Sequence, residues 1–362
     1  MKAFLFFCTV TIVIICAGCE KNPADSKETP TNPREYKWSV DTLAYSRSFQ
    51  TSMQDIWASS PKDVYVVGHN SQPGPGTMFR FDGTNWKTTG FHIGEGGPIQ
   101  GPVSLSAIYG FSASDIWIVG EHIYSNPTPP PNFLDSSLAI HFNDSKWTEV
   151  NVMPRRQRLQ KVWGISSTNL YTVGSNGVVM YYDGHTWSIR LLSPPAQLLY
   201  IGGDANRLFT GGRLFGNLSD TLVAFSNNGN GWQLLDKQAE SEYFQSPRFG
   251  TSGLYAPATG VYYNVGLGIF RWQDTKWEKV LSSQIFLNDI YGTSPNNIFA
   301  TGQFGKAYHW NGNDWALLSL PFDKIPSDIW FTGVWTDGNE AFICGLGNGR
   351  GGAQVTFVLH GK

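Results

Sequence analysis

Chemistry needs polar side chains that converge, and in this 362-residue chain such side chains gather in a few irregular stretches. Arg155, Arg156 and Arg158 crowd together, and Arg213 follows in a later stretch. Guanidinium groups are rigid donor forks that match carboxylate or sulfate oxygens, so this set is a candidate anion-binding site. The competing reading is a solvated charge run in a loop. His69, His92, Glu95, Glu121, His122 and Tyr124 form a second candidate set, of the residue types that line sugar or metal sites. No two of them have the spacing of a recognisable metal motif, so neither a metal nor a cofactor is expected. A third stretch, Asn126-Pro127-Thr128-Pro129-Pro130-Pro131, reads as a stiff polyproline II excursion, with a recognition arm as the alternative. There is no Gly-x-Ser-x-Gly elbow, phosphate-binding Gly-rich loop, His-Glu-x-x-His or Cys-x-x-Cys. No catalytic residue is assigned. A glycosidase-type carboxylate pair stays open, because its separation is not a property of sequence.

The elements that must position these groups are written as a repeat. Trp86, Trp147, Trp187, Trp232, Trp277 and Trp315 each follow a short turn such as Asp82-Gly83 or Asn311-Gly312, and Trp38 is a seventh without one. From Trp147 onward the steps are 40, 45, 45 and 38 residues. Ahead of each Trp runs an Asp or Asn, an apolar run and a Gly, as in Asp63–Gly68, Asp115–Gly120, Asn169–Gly174 and Asn297–Gly302. A third marker precedes that one: Ile108-Tyr109-Gly110, Val162-Trp163-Gly164, Ile290-Tyr291-Gly292. Alternating apolar residues and Asn-Gly or Asp-Gly turns mark antiparallel hairpins. Four short strands in each unit of about 40–45 residues predict an all-β, seven-bladed β-propeller. The units run approximately over 55–91, 105–150, 159–192, 197–236, 243–281, 286–320 and 325–362, and the division of the fifth around Tyr255 to Val265 is open. The last unit lacks a Trp strand and the first supplies only that strand, at Trp38. The N-terminal strand is therefore expected to complete the last blade and close the ring, which removes an exposed sheet edge. The seven tryptophans are assigned to packing between blades. His141, His309, Arg80 and Arg271 share one place in the repeat and are assigned a structural role.

The N-terminus has a different composition. Met1 to Gly18 opens with Lys2 and an apolar run too short to span a membrane comfortably, and reads as a signal peptide. Its end, Cys16-Ala17-Gly18-Cys19, resembles the bacterial lipobox, departing from it at Cys16. That resemblance implies that Cys19 carries a lipid and tethers the protein to a membrane without spanning it. An ordinary secretory signal is the alternative. Residues 19–35 lack an apolar run and read as a flexible tether, with the propeller over 36–362. Only Cys344, in an apolar strand, then remains as a free thiol. A formal net charge of −2 with 15% charged residues does not suggest nucleic acid.

The interruptions of the repeat fall on one rim. Those near His69, Glu121, Gly212 and Leu346 join second to third strands, while those at Gly94 to Pro102, Met153 to Leu159 and Lys237 to Gln245 join blades. Both kinds of loop leave an antiparallel blade on the same face, and loops on a rigid scaffold are where function concentrates. The Ser-x-x-Asp-Ile-Trp-x-Val-Gly phrase at Ser112 to Gly120 and the Asp-Gly-x-x-Trp phrases resemble the repeats of secreted bacterial propellers, akin to the BNR/Asp-box and kelch-like groups. That resemblance implies the fold and an extracytoplasmic setting, while the Arg, Tyr and Asp set of the sialidases in that group is not matched. The expectation is a monomeric, lipid-anchored module of the bacterial cell envelope, periplasmic or at the cell surface, that binds a protein or glycan through the inserted face. The alternative is a glycosidase or lyase with its site in the central depression of that face.

Overall fold

The computed structural model describes residues 32–46, 48–72, 76–88, 92, 97–129, 133–152, 157–214 and 220–362. The signal peptide, Cys19 and most of the tether lie outside the described residues, as do Glu95, Arg155 and Arg156. The strands form seven four-stranded antiparallel sheets. In six of them the strands follow chain order from the inner edge outward. The seventh combines Trp330–Thr336, Ala341–Asn348 and Gln354–Gly361 with the N-terminal strand Trp38–Leu43. The chain is a seven-bladed β-propeller. Its ring closes as expected, through the pairing of Trp38 with Gly361 and Leu43 with Thr356.

The short turn before each outer strand is a local necessity. Gly83, Gly184, Gly229 and Gly312 have φ of 90–95° there, and Asp144 and Asp274 take the same left-handed region at 54° and 50°. Asn, Asp and Gly are the residues that tolerate it. The Gly that ends each second strand has a different cause. Six inner strands carry a bulge at this step, for example between Leu105 and Ala107, between Leu287 and Asp289 and between Phe331 and Gly333. The bulge pushes a carbonyl across the ladder, so that a Cβ on Gly68, Gly120, Gly174, Gly212 or Gly302 would lie 1.8–2.2 Å from a backbone oxygen.

Blade-to-blade packing follows the tryptophans. Trp147, Trp187, Trp277 and Trp315 lie 4.9–6.3 Å, ring centre to ring centre, from the second-strand aromatics Tyr65, Trp117, Phe209 and Tyr263 of the preceding blade. In five blades the second-strand aromatic at this step also faces a long polar third-strand partner: Tyr65 opposite Arg80, Trp117 opposite His141, Tyr263 opposite Arg271, Phe299 opposite His309 and Phe342 opposite His360, whereas Phe209 faces Ser226. His141 stacks on Trp117 at 4.0 Å and reaches Asp115 at 2.8 Å, while Arg80 lies over Tyr65 and bonds Asp63 at 2.6 Å. In blades one, two, six and seven the polar place in the repeat is thus a cross-strand contact tied to an acidic or amide residue at the start of the second strand. Its structural assignment agrees with this geometry.

Two boundaries differ from expectation. Blade five begins only at Leu254–Ala258; the preceding stretch, from Tyr243, holds the end of a helix, Glu240–Gln245, and a connection that buries Tyr243 and Phe249. The folded part reaches back to Asn32, where a 3-10 turn (Pro33–Glu35) positions Arg34 against Asp314 at 3.2 Å and the His309 carbonyl at 3.3 Å. Among the described residues no helix is long and apolar enough to cross a membrane.

Candidate functional site

The strand order puts the second-to-third loops and the blade connections on one face, as the repeat implied. On it the candidate residues divide into two places. In the first, a cavity of about 390 Å³ is lined by His69, Thr77, Ser104, Ile123, Arg158 and neighbours. Arg158 spans two blades, with Glu121 at 3.4 Å and the Ser106 hydroxyl at 3.2 Å. His92 is buried against the Thr77 hydroxyl at 3.1 Å. His122 meets Glu149 at 3.1 Å. Burial, reinforced by the Arg158 charge, lowers the pKa of His69, and burial together with His122 lowers that of His92. Both imidazoles are held toward the neutral form. Tyr124 lies on the second strand of blade two, and its side chain is outside the described set. In the second place, Arg213 pairs with Glu240 at 2.6 Å, in blade four, and does not join Arg158. Each described guanidinium of this set is thus already matched by a carboxylate. Among the described residues no group of three His, Cys, Asp or Glu side chains could hold a metal ion.

The same face displays large apolar side chains. Phe49, Phe244, Phe304, Phe322 and Trp330 are 48–70% exposed. Phe49, Phe244 and Phe322 stand in blade connections, Phe304 in the second-to-third loop of blade six, and Trp330 opens the inner strand of blade seven. Three of them are neighbours: Gln303 bridges to Trp330, and Gly305 N–H donates to the Ile329 carbonyl at 3.1 Å. A Cβ on Gly305 would strike the Phe322 ring at 2.6 Å. Phe304 itself has φ of 53°, which is rare for a bulky side chain and marks local backbone strain.

A second site lies on the axis and was not assigned from sequence. All seven inner strands line a cavity of about 440 Å³. Its wall is a collar of Trp57, Tyr109, Trp163, Tyr255, Tyr291 and Trp335, which occupy the same step of six inner strands. Blade four has Gly202 there, and the Leu254 side chain of blade five fills the space that a Cβ would take. Two residues earlier stand Asp55, Lys161 and Asp289, where blades two and seven have Ala107 and Gly333. Asp55 accepts from the Ile108 N–H at 3.1 Å and from Lys161 Nζ at 3.0 Å. Asp289 accepts from the Val334 N–H at 2.9 Å. Each carboxylate therefore fastens its own blade to the next. Burial pushes the Asp55 carboxyl up against the opposing pull of Lys161. Burial alone would lower the Lys161 pKa, but Asp55 and Asp289 more than offset it and hold the amine charged. Tyr255 and Tyr291 rings lie 5.5 Å apart, and burial raises both phenols. The lining follows each inner strand from this charged layer toward its turn into the second strand. The cavity thus occupies the half of the axis opposite the inserted loops. Its signal in the sequence was the Tyr or Trp of the third marker, with charged residues two positions earlier at a step that holds Ala107 in blade two and Gly333 in blade seven.

No family model matches the chain, and no curated protein matches it. Solved structures do. YCF48 bound to a D1 peptide superposes with a TM-score of 0.59 at 14% identity, over 91% of this chain and 94% of that one. YCF48 from Cyanidioschyzon merolae gives 0.55 at 12% identity, over 88% and 98%. The WD40 repeats of RRP9 give 0.53 at 7% identity, over 89% and 97%. At such identities the likeness shows the fold alone. These neighbours are propellers of the YCF48 and WD40 kinds, whereas the sequence phrases resembled the Asp-box and kelch-like groups; the propeller is the common ground.

Proposed function

We propose that this protein is a lipid-anchored, extracytoplasmic assembly module that binds a protein partner through the inserted face of its propeller. The observation that carries this reading is the set of exposed aromatics Phe49, Phe244, Phe304, Phe322 and Trp330 on that face. Four of the five are phenylalanines, which have no polar handle for a sugar hydroxyl and gain chiefly from apolar burial. Aromatic side chains at the centre of a polar rim are the usual composition of a protein interface core. The strained backbone at Phe304 is consistent with a side chain held outward for contact. The Arg158–Glu121 and His122–Glu149 pairs would form part of the rim. The YCF48 neighbour bound to a D1 peptide is a propeller with a polypeptide ligand, and is compatible with a protein partner here.

The test places a photo-crosslinking residue at Phe304 or Phe322 in the full chain, expressed in its own host. A discrete crosslinked protein, lost in an F304S/F322S/W330S triple variant that still melts cooperatively, is the expected result. Crosslinks only from a probe at Ser188, on an outer strand, would overturn the assignment of the face. Release of reducing ends from a polysaccharide panel would replace the binding role with an enzymatic one. In the same host, C19A is expected to move the protein from the membrane fraction to the soluble fraction.

A further inference from the structure

We propose that the axial cavity is a separate site that accepts an organic cation, an alkylammonium or guanidinium group, between its aromatic collar and Asp289. The inference rests on the axial residues and is independent of the inserted face. Lys161 and Asp55 are joined at 3.0 Å and neutralise one another, leaving Asp289 as a surplus negative charge in the same layer. Asp55 is almost wholly buried and its oxygens are taken by Lys161, Ile56 N–H and Ile108 N–H. Asp289 is only half-buried and faces the cavity. Above it stand six aromatic rings whose electron-rich faces attract cations, an attraction that strengthens as water is excluded. An anionic ligand would meet the surplus carboxylate, and a purely apolar ligand would leave it unused. A cavity of about 440 Å³ admits one basic side chain with room to spare, and is small for a folded element.

The experiment uses the full-length, detergent-solubilised protein and calorimetric titration. The probes are the methylamides of N-acetyl-lysine and N-acetyl-arginine, tetramethylammonium, and the methylamide of N-acetyl-norleucine as the uncharged match for lysine. Saturable binding of a cation with at least about tenfold preference over the norleucine derivative is expected. Preference for the lysine or arginine derivative points to a polypeptide side chain as the natural source, and preference for tetramethylammonium to a free quaternary amine. D289N keeps an oxygen for the Val334 N–H while removing the charge, and is expected to weaken cation binding about tenfold with the melting temperature retained. Y255L is the second variant, with an expected weakening of similar size and no effect on the charged layer. Equal binding of lysine and norleucine derivatives by the unaltered protein would overturn the proposal without recourse to any variant. So would the absence of cation binding at millimolar concentrations, or unchanged affinity in a folded D289N.

Discussion

His309 shows how a residue that resembles a catalytic base is consumed by the fold. It is 2% exposed, bonds Asn297 Oδ1 through Nε2 at 3.0 Å, and has a buried Nδ1 without a hydrogen-bond partner. A proton on Nδ1 would have no acceptor and would sit near Arg34, so burial and then the Arg34 charge lower the pKa to about 4. Because the folded value lies below the unfolded one, the stability is fully present above about pH 6.5 and is lost as pH falls toward 4. The loss at pH 4 should be on the order of 3 kcal/mol. An H309Q variant should flatten the corresponding part of the stability–pH curve between pH 6.5 and 4, measured by denaturant unfolding at several pH values. An identical slope in variant and parent would refute the assignment. Cys344 is likewise absorbed: it is fully buried beside Thr332, and burial pushes its thiol up to about 12. At neutral pH it is a small apolar side chain.

At the scale of the element, the repeated Gly is a packing requirement imposed by a neighbouring strand. Gly120 stands in ordinary extended backbone, yet its absent Cβ would lie 2.1 Å from the Ser104 carbonyl. The obstacle is backbone, so it cannot swing aside. Alanine at Gly120 should therefore cost about 2–4 kcal/mol and displace the bulge that sets the next residues of the inner strand. Thermal melting of G120A checks the first part, and a melting temperature equal to that of the parent would contradict it. The consequence reaches the axial site, because the bulges are what bring Asp55, Lys161 and Asp289 to one level. A strand pair that looks like local hairpin chemistry thus also aligns residues from three distant blades.

For the whole molecule the critical contact is the closure. Trp38–Leu43 pairs with Gln354–Gly361 across more than 300 residues of chain and covers an edge that would otherwise offer free N–H and C=O groups. Deleting residues 33–43 while keeping everything before them should lower the melting temperature by about 10 °C or more and produce concentration-dependent association through the exposed strand. Light scattering and melting across a dilution series check this. A monomer with the parental melting temperature would show that the ring does not depend on its closing strand. Closure also fixes the geography of the molecule. Arg34, just ahead of the closing strand, bonds Asp314, which lies in a third-to-outer-strand turn on the face away from the inserted loops.

The sequence by itself determined the seven repeats, their four-strand content, the closing strand and the face on which the interruptions fall. These are written in local patterns: period-two apolar alternation, turn residues that tolerate positive φ, and a Trp at a fixed step. It also marked His141 and His309 as structural, because equivalents in other blades carry Arg. Tertiary structure alone decided which charged residues meet. Arg158 and Arg213 look like one basic set in the chain, yet their carboxylate partners lie in different blades. Asp55, Lys161 and Asp289 are 106 and 128 residues apart in sequence and share one layer, because a closed ring brings equivalent steps of its inner strands to a common axis. Periodicity names the step, but only closure of the ring shows that the step faces a cavity.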